Sequence, residues 1–234
     1  KRSKLVHYPA RTVIINNIEH DHADIFHDID AILQQFHGFL RITPSQGLVL
    51  VPDRDEVMER LLAKGCWTPT ETIGDDGTWR AETQRADGGI FDVRKNGWSA
   101  GRVEWNLIGE HNVKNALAAI AAAHHAGVPT EVACTALGAF QNVKRRLEVV
   151  GMVRDITLYD DFAHHPTAIE STLRGLRAKV GSERIIAVLE PRSNSMRMGL
   201  HQETLGESLR VADEVWILKP AALEWDLDIV AKRH

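Results

Sequence analysis

The chain has 234 residues, of which 44% are hydrophobic, and a net charge of −4, so it can bury a core and holds one or two domains. The weak negative charge argues against a general nucleic-acid or membrane-surface binder. No apolar run reaches the length of a membrane span. The two cysteines, Cys66 and Cys134, have no metal-site or disulfide spacing, which is typical of reduced thiols in a cytoplasmic protein. We therefore expect neither nucleic acid nor membrane as a partner.

Strands and helices alternate along the first part of the chain. Hydrophobic patterning predicts a parallel strand over 12–15, a helix over 29–39, a strand over 47–51 and a helix over 53–64. From about 67 to 107, short alternating segments separated by Gly-containing turns predict a β-rich insertion of antiparallel hairpins. An Ala-rich helix over 112–125 and a helix capped by Thr130 complete this part.

A second alternation begins near residue 145. It predicts a strand at 153–159, a helix at 167–179, a strand at 185–189, a helix at 202–211 and a strand at 214–218. The predicted fold class is α/β, with one domain over 1–145 and a second over 146–234. Because both ends of the chain lead almost directly into predicted strands, we expect missing parts of the same protein to cover them.

Acids and histidines gather after the predicted strand 153–159, in the run Asp160-Asp161-Phe162-Ala163-His164-His165-Pro166. Ligands bind at the carboxyl ends of strands in open α/β sheets, and buried acids and histidines are costly unless they serve a site. The alternative is a capping Asp beside two solvated histidines. A second polar run, Asn17-Ile18-Glu19-His20-Asp21-His22, follows the first strand.

Oxygen and imidazole groups in this second run suit a divalent cation beside a phosphate. Zinc bound by His20, His22 and His27 is an alternative, although no thiolate or HExxH spacing accompanies it. A solvated His-rich loop is the other alternative.

Two further segments carry hydrogen-bonding groups. Asn112 and Asn115 lie three residues apart, hence on one helical face, and carboxamides can match an adenine edge. Alternatively, Asn112 only caps its helix. After the predicted strand 185–189, a basic and polar loop contains Arg192 and Arg197, whose guanidinium groups can bind carboxylates.

Four ordered motifs together resemble the Mur ligase family, ATP-dependent enzymes that join amino acids or peptides to cell-wall precursors. The motifs are Asn17-x-Glu19-x-Asp21-His22, Gly109-x-His111-Asn112-x-x-Asn115, Arg145-Arg146-x-Glu148 and Asp160-Asp161-x-x-His164-His165-Pro166. The resemblance implies the later part of a central ATPase domain, a mixed sheet with a β-rich insertion, followed by the first part of a Rossmann-like carboxyl-terminal domain. No GxxGK[ST] phosphate loop occurs in the 234 residues, so we expect this chain alone to be inactive.

Within the family, residues 162–169 and 191–199 are most similar to members that attach the recycled murein tripeptide L-alanyl-γ-D-glutamyl-meso-diaminopimelate to UDP-N-acetylmuramate. The resemblance implies peptidoglycan recycling through an acyl-phosphate intermediate, with ATP and Mg²⁺ as cofactors. Members that attach L-alanine to UDP-N-acetylmuramate are the alternative. A non-catalytic nucleotide- or metal-binding fragment is another.

The resemblance also implies roles for individual residues. His22 would bind magnesium, with Glu19 and Asp21 ordering its loop, and His165 would lie near the incoming amine. The catalytic set would be His22, Arg146 and His165. The ATP-binding residues would be His111, Asn112, Asn115, Arg146 and Asp161, with Arg146 on the phosphates and Asp161 on the ribose. The substrate-binding residues would be His165, Arg192, Ser193, Asn194 and Arg197.

Overall fold

The computed structural model describes residues 4–221, 223 and 225–231. A short 3-10 helix, Lys4–His7, precedes a six-stranded sheet whose strands lie side by side in chain order. The strands are β1 (Thr12–Ile14), β2 (Leu48–Pro52), β3 (Thr70–Ile73), β4 (Trp79–Thr83), β5 (Ile90–Lys95) and β6 (Trp98–Glu104). Strands β1 to β3 are parallel, β4 to β6 are antiparallel, and a parallel pair between Ile73 and Trp79 joins the two halves.

Helices cover both faces of this sheet. Helices α1 (Ile29–Leu40) and α2 (Glu56–Ala63) pack on the face that contains Val49 and Val51. Helices α3 (Glu110–His125) and α4 (Thr130–Gly138) pack on the face that contains Leu48 and Leu50. Since successive residues of a strand point to opposite faces, the fully apolar β2 serves both cores. The predicted α/β class is confirmed, and we call this part the first unit.

The predicted β-rich segment does not stand apart from the sheet. Its strands continue the order that β1 and β2 begin. The β4–β5 and β5–β6 hairpins form as expected, whereas β3 is not part of a hairpin, because it pairs in parallel with both β2 and β4. Asn96 and Gly97 both have positive φ angles, 51° and 84°, as a two-residue turn between right-twisted strands requires.

Several boundaries differ from the predicted ones. Helix α2 begins at Glu56 rather than at residue 53, because the Asp55 carboxylate accepts a hydrogen bond from the Met58 backbone N–H at 2.8 Å and so caps the helix. Thr130 does not cap α4 as predicted. It is the first helical residue, and Pro129 occupies the cap position without a side-chain hydrogen bond.

The second unit contains a hairpin, a two-stranded parallel sheet and four helices among the described residues. Strands β7 (Glu148–Val153) and β8 (Ile156–Asp160) form the hairpin. They are followed by α5 (Pro166–Val180), β9 (Ile186–Leu189), α6 (Asn194–Arg197), α7 (Leu205–Ser208), β10 (Glu214–Ile217) and α8 (Asp228–Ala231). β9 and β10 pair in parallel, and Ile169, Leu173, Met196 and Leu205 belong to the core of this unit.

Two predictions for this unit are wrong in part. The predicted strand 153–159 is interrupted by Arg154 and Asp155, whose positive φ angles of 50° and 63° form the hairpin turn. The predicted helix 202–211 is reduced to the single turn α7, where Gly206 and Ser208 are weak helix formers. Among the residues described, no helix is both long and apolar enough to cross a bilayer.

Candidate functional site

The loop that follows β1 joins the two units through its carboxylates. Glu19 lies 2.9 Å from Nδ1 of His165. Asp21 accepts a hydrogen bond from the Ser195 hydroxyl at 2.5 Å, and Asp24 accepts one from the Asn194 amide at 3.2 Å. The acids that suggested a cation site therefore also fix the position of the second unit.

These contacts keep two of the carboxylates ionised. The hydrogen bond from His165 holds the pKa of Glu19 below its usual value, against the effect of burial. For Asp21, burial raises the pKa, but hydrogen bonds from the Ser195 hydroxyl and the His22 backbone N–H outweigh it, and the net pKa is lowered. The His22 bond is 2.7 Å long and holds His22 in a left-handed conformation, with φ of 54°.

A cavity of about 440 Å³ opens beside this loop, and we call it the loop cavity. Magnesium keeps several waters and needs only one or two protein ligands beside phosphate oxygens, so an imidazole and carboxylates at one wall fit such an ion. The residues that line the loop cavity are Asn17, Ile18, Glu19, Asp21, His22, Phe26, Ile32, Phe36 and His165.

A closed zinc site does not fit. In the part of the chain that the structure describes, no three His, Cys, Asp or Glu side chains are grouped to hold a metal ion. His20 contacts the Phe26 carbonyl oxygen at 3.0 Å, and His27 lies 3.0 Å from Asp28. The three histidines of the zinc alternative are thus not brought together.

Behind His165 lies a second imidazole that the sequence did not single out. The rings of His165 and His201 meet edge to face, with centroids 4.4 Å apart. His201 is 9% exposed, and its Nε2 has no hydrogen-bond partner among the described residues. Burial, and then the nearby charge of His165, lower the pKa of His201 to about 4. A neutral ring therefore supports His165 from behind.

A second cavity, of about 450 Å³, lies where the two units meet, and we call it the junction cavity. Asn112 lines it together with Lys144, Tyr159 and Lys179. The Asn112 amide donates to the Ile108 carbonyl at 2.7 Å, and Gly109 occupies the cap position of α3. Asn112 is thus not the N-cap residue, and both its predicted role in binding adenine and the alternative of a purely local role stay predictions.

Asn115 lies one turn further along α3 and points to the end of β1. Its side-chain oxygen accepts a hydrogen bond from the Asn16 amide at 2.9 Å. Asn16 precedes Asn17, which lines the loop cavity. Asn112 thus lines the junction cavity, whereas Asn115 lines neither of these two cavities and instead holds Asn16. Their predicted joint role in binding adenine stays a prediction.

Asp161 orders the segment that carries Arg146. Its two carboxylate oxygens accept hydrogen bonds from the backbone N–H groups of Leu147 at 2.8 Å and Ala163 at 2.7 Å. Leu147 has a φ of 48°, so the first bond stabilises an unfavourable backbone conformation. The guanidinium carbon of Arg146 lies 6.0 Å from the Phe162 ring. In this structure the Asp161 carboxylate binds backbone N–H groups of its own chain. Its predicted contact with a ribose stays a prediction.

The predicted peptide-binding residues lie beside the loop after β1, but their side chains differ in freedom. The Ser193 hydroxyl caps α6, accepting from the Met196 N–H at 3.2 Å. Asn194 bridges Asp24 and Arg197, the latter at 2.6 Å. The Arg192 side chain is 79% exposed and lies 3.8 Å from Glu190. Arg192 is therefore the member of this set with most freedom to meet a ligand.

His111 is not among the residues that line the junction cavity. Its Nδ1 lies 2.9 Å from the Ser171 hydroxyl of α5. Burial lowers the pKa of His111. The residue therefore contacts the second unit, and its predicted role in ATP binding stays a prediction.

Family comparisons agree with this arrangement. The model of the Mur ligase middle domain matches residues 1–123, and the model described as Mur ligase, glutamate ligase domain matches residues 145–231. The chain belongs to the Mur ligase family. The resemblance inferred from the four motifs is thereby confirmed.

Individual relatives within the Mur ligase family differ in similarity. The chain is 51% identical, over 99% of its length, to the UDP-N-acetylmuramate–L-alanyl-γ-D-glutamyl-meso-2,6-diaminoheptanedioate ligase of Escherichia coli. It is 33% identical, over 98% of its length, to the UDP-N-acetylmuramate–L-alanine ligase of Desulfitobacterium hafniense. It covers 51% and 52% of these two proteins, respectively. The chain thus spans about half the length of the curated relatives it matches.

A solved relative supports the same fold. The crystal structure of a murein peptide ligase from Psychrobacter arcticus has a TM-score of 0.68 and 45% sequence identity. The match covers 99% of this chain and 48% of that one.

Some residues that contact the Mur ligase motifs could not be assigned a role from the sequence. They include Ser171, Ser195 and His201. Ser171 and Ser195 lie 60 and 174 residues from the side chains that they bond, and an isolated serine carries no pattern. A signal existed only for Ser195, which stands inside the polar loop after β9.

Proposed function

We propose that the protein containing this chain is an ATP-dependent ligase that attaches L-alanyl-γ-D-glutamyl-meso-diaminopimelate to UDP-N-acetylmuramate through an acyl phosphate. The observation that carries the proposal is a difference in similarity. Identity is 51% to a relative named as the tripeptide ligase and 33% to one named as the L-alanine ligase, over nearly the same residues. Identity this much higher favours the tripeptide as the incoming amine.

The chain's own residues support a division of tasks between its two cavities. Asn112 lines the junction cavity, where its second amide N–H and its carbonyl oxygen are suited to an adenine edge. Lys144 lines the same cavity and adds a positive charge for phosphate. Asn115 holds Asn16 and so fixes the loop after β1 relative to α3.

The loop cavity is the proposed place of reaction. His22 and the ionised carboxylates beside it would hold Mg²⁺, which when bound neutralises phosphate charge. Glu19 orients the His165 imidazole by a 2.9 Å contact, and neutral His201 packs against the same ring. His165 is thereby fixed at the wall of the loop cavity, where it can accept a proton from the attacking amine.

Peptide recognition is proposed for the loop after β9. A tripeptide ending in diaminopimelate presents more carboxylates than L-alanine does, so its site needs added cationic groups. Arg192 and Arg197 supply them, and Asn194 links this loop to Asp24. The loop therefore lies at the edge of the proposed reaction site.

The test is a competition assay with the full-length protein. Purified enzyme receives UDP-N-acetylmuramate, Mg-ATP and equimolar tripeptide and L-alanine, and the UDP-linked products are separated by chromatography. We expect the tripeptide adduct to dominate. Preference for L-alanine would establish the alternative ligase. ADP binding without either product would establish a non-catalytic nucleotide-binding protein.

A further inference from the structure

At one point the two units meet through two glycines, Gly109 of the first unit and Gly175 of the second. A Cβ atom on Gly175, in the middle of α5, would lie 2.8 Å from Cα and 3.2 Å from the backbone nitrogen of Gly109. Real Cβ atoms essentially never approach backbone atoms so closely, and backbone cannot swing aside as a side-chain end can. Helix α5 therefore rests directly on the chain where α3 begins.

Gly109 is constrained from its own side as well. Its φ of 96° is a conformation that favours glycine. A Cβ there would lie 2.7 Å from Cε1 of the His111 ring. The ring thus covers Gly109, and Nδ1 of the same ring lies 2.9 Å from the Ser171 hydroxyl, one turn before Gly175 in α5. Gly109 and His111 together form one surface, which we call the α5 seat.

The α5 seat also sets the first turn of α3. The Gly109 carbonyl accepts hydrogen bonds from the backbone N–H groups of Asn112 at 3.0 Å and Val113 at 3.3 Å. Any displacement of Gly109 therefore moves Asn112, which lines the junction cavity. Within the motif Gly109-x-His111-Asn112, the first two named residues contact α5 of the second unit. The third lines the junction cavity.

We propose that Ser171 and Gly175 are positioning residues: by docking on the α5 seat, they hold Asn112 in the geometry that binds nucleotide. The docking stands on contacts alone, whereas the link to nucleotide rests on the proposed function. Burial lowers the pKa of His111, which favours the neutral imidazole. A neutral ring can form one hydrogen bond with the Ser171 hydroxyl through Nδ1.

The docking is tested in the full-length protein by limited trypsin digestion. Lys144, Arg145 and Arg146 are exposed in the connection between the units, so their cleavage reports how firmly the units are held together. Gly175→Ala should accelerate this cleavage roughly tenfold, since overpacking against backbone opens the contact. Gly38→Ala is the matched control, because it also places Ala in a helix but leaves its Cβ 3.8 Å from Val6. Equal cleavage rates for the two variants would overturn the docking.

A milder pair of variants avoids reliance on a variant that fails to fold. Ser171→Ala removes the hydroxyl that meets His111, and Ser171→Thr keeps it. We expect faster cleavage in the first and recovery toward the wild-type rate in the second. A Ser171→Ala rate equal to the wild-type rate would show that the hydroxyl does not hold the units.

The link to nucleotide is tested in the full-length protein by calorimetric titration with ADP. Gly175→Ala and Ser171→Ala should weaken ADP binding at least about fivefold, with Gly38→Ala unchanged. Faster cleavage with unchanged ADP affinity would overturn the link while leaving the docking. A wild-type protein that binds no ADP would contradict the proposed function instead, and the cleavage result would still decide the docking.

Discussion

His201 gives the chain a defined loss of stability in mild acid. Burial, and then the charge of His165, lower the pKa of His201 from 6.5 to about 4. The ionisable groups around it are Glu19, Asp21, His20 and His165. Between pH 6.5 and about 4 the unfolded chain binds a proton at residue 201 that the folded chain excludes. The stability contributed by the neutral ring is therefore complete above pH 6.5 and is lost as the pH falls toward 4.

The size of this loss follows from the two pKa values. They differ by about 2.5, and at 1.36 kcal/mol per pKa unit the loss cannot exceed about 3.4 kcal/mol. Solvent screens part of the interaction, because neighbouring His20, Asp21 and His165 are only partly buried. We therefore expect about 2 kcal/mol, a large share of the stability of an ordinary domain.

The assay is urea unfolding of the wild-type chain and His201→Phe at several pH values between 7.5 and 4.5. Phenylalanine keeps an aromatic edge against His165 and cannot be protonated. The free energy of unfolding of the wild type should fall by about 2 kcal/mol more than that of the variant. His27→Phe is the control, because the side chain of His27 is 84% exposed. Parallel pH profiles for wild type and His201→Phe would refute the reasoning.

Three further predictions concern the proposed ligase site and a core thiol. Arg192→Ala in the full-length enzyme should raise KM for the tripeptide at least about tenfold and change KM for ATP little, while Arg174→Ala on α5 serves as control. Weaker ATP use would contradict the assignment of the loop. His22→Ala should lower turnover at limiting magnesium without moving the urea unfolding curve, because His22 is exposed in a loop; an unchanged rate would return it to the solvated alternative. Cys134 is 1% exposed and burial raises its pKa to about 11, so a thiol reagent at pH 8 should label Cys66 first. Equal labelling of both in the native chain would contradict this burial.

Sequence patterning predicted the fold best for elements whose apolar residues are buried in the core. The predicted bounds of β2 and of the Ala-rich α3 are within a few residues of the observed ones. Their apolar residues pack in the core, and this burial produces the pattern that the sequence shows. The β7–β8 hairpin was missed because its apolar side chains are largely exposed: Val153 and Ile156 are 70% and 68% exposed. Arg154 and Asp155 do interrupt the apolar residues here, but without Gly, Asn or Pro they carry little turn signal. The division of the chain near residue 145 stays a prediction.

The sequence predicted which residue types form the candidate site, but not the contacts between them. Acids and histidines after a strand are visible in the sequence, and Glu19, His22 and His165 do line one cavity. The bonds that hold them are not visible, since Ser195 meets Asp21 across 174 residues. His111 shows the same limit, because the motif that names it does not tell which neighbour it faces.

In the six-stranded sheet the strands lie in the same order as in the sequence, and this order affects how the chain folds. Each strand pairs with the one that follows it in the sequence, so pairing can begin as soon as the next strand emerges from the ribosome. The connections to close are single helices, α1 and α2, and then short turns. Helix α3 is the exception, because His125 meets Thr12 and Asn115 meets Asn16 across 113 and 99 residues. A nascent chain that ends before α3 exposes one whole apolar face of the sheet. We expect that intermediate to be the form most prone to aggregation and to chaperone binding.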